Sequence, residues 1–215
     1  MSDTDLAHTN LAQSLKVIET LSTGTLTTQL LKRGLPSTFI AGVHPLNPAA
    51  PRFVGLAYTL RLIPQREDKM SLDSVTSPLC PQRHAIENCS AGHVLVIDAR
   101  GVTETGTLGD ILVARLQARS VAAVVTDGAM RDTGAMMGFD IPVFCGGRPA
   151  RNSHVHHLAT ETRVPVDCGG ARCFRATFYS ATTTVSSSSR PTWRLNLPLM
   201  VPGRNAWKLS CSSGF

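Results

Sequence analysis

No stretch of this 215-residue chain holds as many as about 18 consecutive apolar residues, so no membrane-spanning helix is expected. The N-terminal stretch, MSDTDLAHTNLAQSLKVIE, lacks a basic start followed by an apolar block and does not read as a secretory signal. The expected setting is therefore cytoplasmic, with no membrane partner. None of the six cysteines (Cys80, Cys89, Cys145, Cys168, Cys173, Cys211) belongs to a CxxC pair, and a chain of this length needs no covalent staples; they read as free thiols. Aromatic residues are scarce, at 5%. Before residue 168 they are not interleaved with basic ones, which speaks against a base-stacking surface. The net charge of +6 does not change this. From Cys168 onward there are six basic residues and no acidic one, leaving 15 of each sign in residues 1–167. The charge describes the tail, not a basic face, and no direct nucleic-acid partner is expected.

What the sequence does contain is alternating apolar segments of two periods. Residues 11–33 carry apolar positions near helical spacing, with Ser22-Thr23-Gly24 dividing them and Gly34 as a stop. GVHPLNPAAPRF reads as a proline-rich loop, and FVGLAYTLRLIP as a strand closed by Pro64. QREDKMSLDSVTSPLCPQR reads as a polar connection or short helix, and HAIENCSAG as a helical turn ended by Gly92. HVLVIDARG is a short strand with Asp98 at its end. GDILVARLQARS is a helix with Leu112 and Leu116 on one face and Arg115 and Arg119 on another. VAAVVTDG is a buried strand, IPVFCGG another, and VPVDCGG a candidate for the next. Strands and helices alternating at this density predict one α/β domain. The cluster HVHH at 154–157 lacks partners at zinc-ligand spacing and reads as a solvated loop or helix start.

The stretch TLGDILVARLQARSVAAVVTDGAMRD carries the candidate chemistry. A helix of about ten residues spans roughly 15 Å, and a returning strand of about five spans roughly 16 Å. The helix entrance at Asp110 should therefore lie beside the strand exit, where Asp127, Arg131 and Asp132 stand. Unpaired N–H groups at Asp110, Ile111 and Leu112 suit an anion. Arg131 offers a bidentate fork for a carboxylate or oxo group, and Asp110 and Asp132 offer hard oxygens for Mg²⁺ or Mn²⁺. Together these suit a 2-oxo acid chelating a metal. Two readings stand at this point: that site, or an everyday helix cap beside a surface ion pair.

The ordered words GHVLVIDARG, GDILVARLQARSVAAVVTDGAMRD and IPVF resemble the RraA-like family, that of the regulator of ribonuclease activity A. The family also holds the class II 4-hydroxy-4-methyl-2-oxoglutarate aldolases. The spacing from Asp110 to Arg131-Asp132 is similar to its hallmark, and residues 22–68 resemble its longer-N-terminus branch. The resemblance implies a layered β/β/α fold of swivelling type, assembled as a homotrimer or a hexamer of paired trimers. It implies a divalent-metal-dependent lyase, a decarboxylase or aldolase, acting on 2-oxo acids through a pyruvate enolate. Gly109, Asp110, Ile111 and Leu112 would bind the substrate carboxylate, Arg131 the oxo and carboxylate oxygens, and Asp132 the metal; Arg131 and Asp110 would be the catalytic pair. A non-catalytic regulator of ribonuclease E activity is the alternative. Aldolase members carry an acid shortly after the Arg-Asp pair, whereas this chain has Thr133, Gly134, Ala135, Met136 and Met137; the regulator branch lacks that acid too. Decarboxylation is thus better supported than aldol cleavage. Methyl transfer is disfavoured, because no glycine-rich loop follows a first strand to hold a methyl-donor cofactor.

The resemblance gives residues 1–170 as one domain with an N-terminal helical extension and 171–215 as a non-matching tail. That tail has a serine run and no acidic residue. Read one base earlier, Thr codons become Asp and Ser codons become Val, and ATTTVSSSSR becomes an Asp- and Val-rich strand of the family's kind. The tail is accordingly expected to be frameshifted or disordered.

Overall fold

The computed structural model describes residues 17–47, 49, 51–66, 68, 71, 77–149, 151–174, 177–184 and 192–196. In chain order its elements are α1 (Thr23–Leu31), β1 (His44–Pro45), β2 (Phe53–Pro64), α2 (Pro81–Asn88), β3 (His93–Asp98), β4 (Gly106–Leu108), α3 (Asp110–Ala118), β5 (Ala123–Thr126), β6 (Ala129–Met130), α4 (Thr133–Met136), β7 (Val143–Cys145), a 3₁₀ turn (Ser153–Val155), β8 (His157–Thr162), β9 (Val166–Cys168), β10 (Ala171–Cys173), β11 (Phe178–Thr184) and β12 (Thr192–Asn196).

The main sheet runs β1-β7-β5-β3-β2-β11-β12, with β8 also paired to β2. Its centre, β2-β3-β5-β7, is parallel. The helices α2, α3 and α4 supply the crossovers between successive parallel strands. Alternation along β3 sets the layers. Leu95 and Ile97 face a core with Ala85, Ile86, Val113, Leu116 and Met136 of the three helices. Val94 and Val96 face the opposite core, with Val166, Cys168, Ala171 and Cys173 of the β9–β10 hairpin. The result is hairpin on sheet on helices, the layered β/β/α arrangement expected. Burial of both faces explains why β3 and β5 read as apolar runs. A single large residue on such a strand contributes about 1.5–3 kcal/mol.

Several boundaries follow their predicted chemistry. Ser22 caps α1, its hydroxyl accepting from Thr25 N–H at 3.1 Å, so the long helical segment is indeed divided there. Gly34 turns the chain at φ +79°, a conformation glycine adopts without penalty. Arg115 and Arg119 share a face and both reach Glu87 of α2, at 2.7 and 3.5 Å. The five described cysteines are free, and burial pushes the Cys89 and Cys173 thiols up to about 12; Cys211 lies outside the described residues. No helix among the described residues is long and apolar enough to cross a membrane.

Other expectations are corrected. The proline-rich loop contains β1, which pairs with β7. Helix α2 begins at Pro81, earlier than the turn read from His84, because proline is well placed in a first helical turn. VPVDCGG forms β9, but in the hairpin layer and not in the main sheet. The expected domain boundary at residue 170 falls inside the β9–β10 hairpin, and the chain continues as β11, pairing with Phe53–Leu56 of β2. Tyr179 and Ala181 of β11 lie buried in the core. In the polar connection at 65–83, residues 67, 69–70 and 72–76 lie outside the described residues, as do 185–191 and 197–215.

Strand β8 was not anticipated. Its HLATET sequence lacks clear alternation, and it is a strand because the second half of β2 offers an open edge, which β8 takes across a bulge at Arg61/Leu62. It begins at His157, which is only 3% exposed, so this end of the HVHH cluster is not solvated. The ring lies beside Thr105, yet neither nitrogen makes a well-formed hydrogen bond. Burial, and then the Arg100 charge, depress this imidazole to about 4. Its folded pKa is below the unfolded value of 6.5, so the stability linked to its neutral form is present above that value. It is lost as pH falls from 6.5 toward about 4. The full span corresponds to about 3 kcal/mol. Asp98 and Asp127, raised mainly by burial, act in the opposite sense at the acid end. The urea midpoint of the wild type should therefore drop between pH 7 and pH 4.5 more steeply than that of His157→Phe. Equal slopes would refute this assignment.

Candidate functional site

The site is assembled by a two-strand parallel ladder. Gly106 of β4 stands opposite Ala129 of β6, and Leu108 opposite Met130. The Thr107 hydroxyl donates to Ala129 C=O at 2.9 Å, and Gln82 Nε2 of α2 donates to Thr107 C=O at 2.7 Å, both buried. One step on, Arg131 N–H donates to Leu108 C=O at 3.1 Å. The chain thus leaves β4 at Gly109 and β6 at Arg131 side by side. The helix entrance is expected to meet the exit of β5. The structure makes that meeting through β4 and β6, two strands too short for any periodicity to show.

Two glycines make room for Arg131. A Cβ on Gly106 would lie 2.9 Å from Arg131 Cβ and 3.0 Å from its backbone N. A Cβ on Gly109 would lie 2.8 Å from Asp132 Oδ2 and 3.2 Å from Arg131 Nε. Arg131 Nε and Asp132 Oδ2 form an ion pair at 3.0 Å, with both side chains partly exposed. The pair adds little stability, but it orients two charged groups toward the start of α3. Asp132 sits at φ 56°, in the left-handed region that Asp tolerates better than most residues. It precedes α4, yet its carboxylate makes no capping bond there and is turned to Arg131.

The predicted residues Gly109, Asp110, Arg131 and Asp132 are therefore neighbours. Ile111 and Leu112 take part differently. The Ile111 side chain is exposed, and its N–H donates to Asp110 Oδ1 at 2.8 Å, so this amide is occupied by the helix's own first carboxylate. Leu112 packs its side chain against the core and offers the site only its backbone. Asp127, also placed at the corner, is drawn away. It is buried and accepts from Ala99 N–H at 2.7 Å, Gly101 N–H at 2.9 Å and Gly169 N–H at 3.4 Å, tying the β3–β4 loop to the β9–β10 turn.

Sequence reasoning missed one wall. Gly106 N–H donates to Arg151 C=O at 3.1 Å, which brings the turn at Ser153–Val155 against β4. His154 in that turn is half-buried, and burial, Arg131 and Arg83 together hold its imidazole below the usual histidine range. The HVHH cluster, expected as a solvated loop or helix start, is split by the fold, with His154 beside the candidate site and His157 in the interior. Among the described residues no three His, Cys, Asp or Glu side chains are grouped to hold a metal. The donor set at the site is Asp110 and Asp132, and one or two carboxylates with remaining waters is the usual protein share of a Mg²⁺ site. The residues present fit such an ion.

The family model for RraA-like, Aldolase/RraA proteins matches residues 22–179. A putative 4-hydroxy-4-methyl-2-oxoglutarate aldolase of Halalkalibacterium halodurans is 34% identical over 86 residues, a match that covers 40% of this chain and 40% of that protein. Among solved structures, Streptomyces coelicolor RraAS2, described as an unusual member of the RNase ES inhibitor RraA protein family, superposes with a TM-score of 0.71 at 24% identity, over 86% of this chain and 84% of that one. An uncharacterized protein from Pseudomonas syringae pv. tomato DC3000 gives 0.67 at 20% identity, over 87% and 80%. These two likenesses establish the fold.

The glycine contacts separate stability from site geometry. At Gly106 the obstruction includes backbone, so Gly106→Ala should cost about 1–3 kcal/mol, read as a lowered urea midpoint. At Gly109 the obstruction is the tips of two part-exposed side chains, and its φ of −107° suits any residue. Gly109→Ala should leave the midpoint nearly unchanged while a crystal structure of the variant shows the Arg131–Asp132 pair displaced. An undisplaced pair would refute the cradle.

Proposed function

The chain belongs to the RraA-like (Aldolase/RraA) family, and from that premise we propose that it is a divalent-metal-dependent lyase that cleaves a C–C bond of a 2-oxo acid, with oxaloacetate decarboxylation as its best-supported reaction. The observation that carries this reading is the convergence of Arg131 and Asp132 on the Gly109–Asp110 start of α3.

Arg131 would bind the 2-oxo and carboxylate oxygens. An arginine guanidinium presents a fixed positive group where the enolate oxygen develops charge. The backbone N–H groups of Gly109, Asp110 and Leu112 would receive the carboxylate at the positive end of α3, that of Ile111 being held by Asp110. Asp132 and Asp110 would hold Mg²⁺ or Mn²⁺; when bound, the ion supplies Lewis-acid polarisation of the 2-oxo group. In decarboxylation the bond between C3 and C4 breaks, carbon dioxide leaves, and the electron pair passes into the enolate. C3 then takes a proton from solvent, giving pyruvate. Neither step asks for the acid that aldolase members carry after the Arg-Asp pair. Retro-aldol cleavage of 4-hydroxy-4-methyl-2-oxoglutarate ends in the same enolate but must also take a proton from the C4 hydroxyl, and the residues at 133–137 provide no carboxylate for it.

The second reading is regulation of a ribonuclease E-type enzyme. It is favoured by the same missing acid, and it is how the family of Streptomyces coelicolor RraAS2 is described. The two separate cleanly. With Mg²⁺ present, purified protein should release pyruvate from oxaloacetate above the uncatalysed rate. Arg131→Ala should lower kcat/KM by about 100-fold or more, the scale of one lost oxyanion donor, and chelation should abolish turnover. Activity indifferent to both changes would sink the lyase mechanism. Inhibition of RNA cleavage at stoichiometric ratio, unaltered by Arg131→Ala, would favour the regulator.

A further inference from the structure

Among the described residues five buried side-chain polar atoms make no hydrogen bond, and three of them belong to two residues, Thr105 and His157. The other two sit in groups that are otherwise engaged: Arg119 pairs with Glu87, and the Tyr179 hydroxyl lies beside the Cys173 thiol. Thr105 is fully buried and His157 only 3% exposed. They come from separate segments, the loop that feeds β4 and the first residue of β8, and the His157 ring lies against the Thr105 backbone. Thr107, two residues along, donates its hydroxyl proton to Ala129 C=O at 2.9 Å. The Thr105 hydroxyl meets no such acceptor.

Neither segment is free to turn its polar group elsewhere. Gly106 N–H, next to Thr105, donates to Arg151 C=O at 3.1 Å. His156 C=O, next to His157, accepts from Gln65 N–H at 3.1 Å and from Arg100 Nη2 at 3.4 Å, and β8 pairs His157 with Pro64 of β2. Polar groups in a folded interior are nearly always paired, so two unpaired ones held side by side call for a third group between them. Its chemistry follows from theirs. A neutral imidazole has one N–H and one lone pair, and a threonine hydroxyl both donates and accepts. Burial penalises an ion of either sign, and the Arg100 charge that acts on the ring also repels a cation. A neutral group that donates and accepts, with two partners at hand, is a water molecule, for which about two to four partners is usual.

We propose that one internal water molecule bridges the Thr105 hydroxyl and the His157 imidazole and fastens the loop before β4 to the start of β8. The bridge lies one residue from Gly106, whose missing side chain makes room for Arg131. The water therefore helps to hold the seat of Arg131, whichever reaction the site performs.

A crystal structure of the wild type, at a resolution that shows ordered water, should contain one water within hydrogen-bonding reach of Thr105 Oγ1 and a His157 ring nitrogen. A direct bond between the two side chains, an ion between them, or no ordered group at all would overturn the proposal. A mutant cycle at pH 7 tests the coupling. Thr105→Val keeps the shape and removes the hydroxyl, and His157→Phe removes both ring nitrogens. Each should lower the urea midpoint, and the double variant should lower it by less than the sum, because both changes remove partners of the same water. Additive shifts would refute a shared partner. In each single variant the Gly106 amide should exchange with solvent about tenfold faster, the scale of one lost hydrogen bond. Unchanged exchange in both variants would refute the link to the Arg131 seat. Should either variant fail to fold, the wild-type structure decides by itself.

Discussion

The parallel ladder between β4 and β6 is the constraint on which the candidate site depends. It is short, with two paired positions and a shift between them, and would not persist alone. It survives because it is clamped from both sides: Thr107 reaches Ala129 through its hydroxyl, and Gln82 reaches Thr107 from α2. Met130 N–H adds a bond to Gly147 C=O at 3.1 Å. Each is a buried polar group satisfied by a named partner, the condition under which such groups persist in an interior. Everything at the site inherits its position from this ladder, including the start of α3, the aim of Arg131 and the closeness of the 151–155 turn.

Asp127 performs the matching task for the surrounding fold. One buried carboxylate gathers three backbone N–H groups from two loops, 99–101 and 169, and so joins the central sheet to the β9–β10 layer. Desolvation raises its pKa, and the three donors work against that rise. Asp98 lies close enough for its own carboxyl to be raised, mainly by burial and further by Asp127. The acids at the end of β3 and after β5 are therefore structural. The strand ends carry two sets of acids: those that fold into the interior to hold loops, and those that face the start of α3.

The central strands, the α3 helix and the α/β class were legible because burial imposes periodicity: Leu95 and Ile97 against Val94 and Val96 is a pattern any reader can count. Gly109, Asp110, Arg131 and Asp132 were legible because helix and strand lengths are nearly constants. Strand β8 was not, since its partner edge on β2 lies about a hundred residues away and its own sequence carries no alternation. The entry of residues 171–184 into the fold was hidden by composition. Serine and threonine there look like a tail, and only pairing with β2 makes them a strand. His154 carries no local sign of its place beside β4, because its turn is brought there by the bond from Gly106 N–H to Arg151 C=O.

By itself the sequence determined the alternation of elements, the residue types of the candidate site and their spacing along the chain. Local geometry, which depends on near neighbours alone, suffices for these. Tertiary structure decided which acid turns inward and which faces the site, which edge each short strand takes, and which turn lies against β4. Those outcomes depend on desolvation and on hydrogen bonds between residues far apart in the chain, and neither is a property of any segment alone.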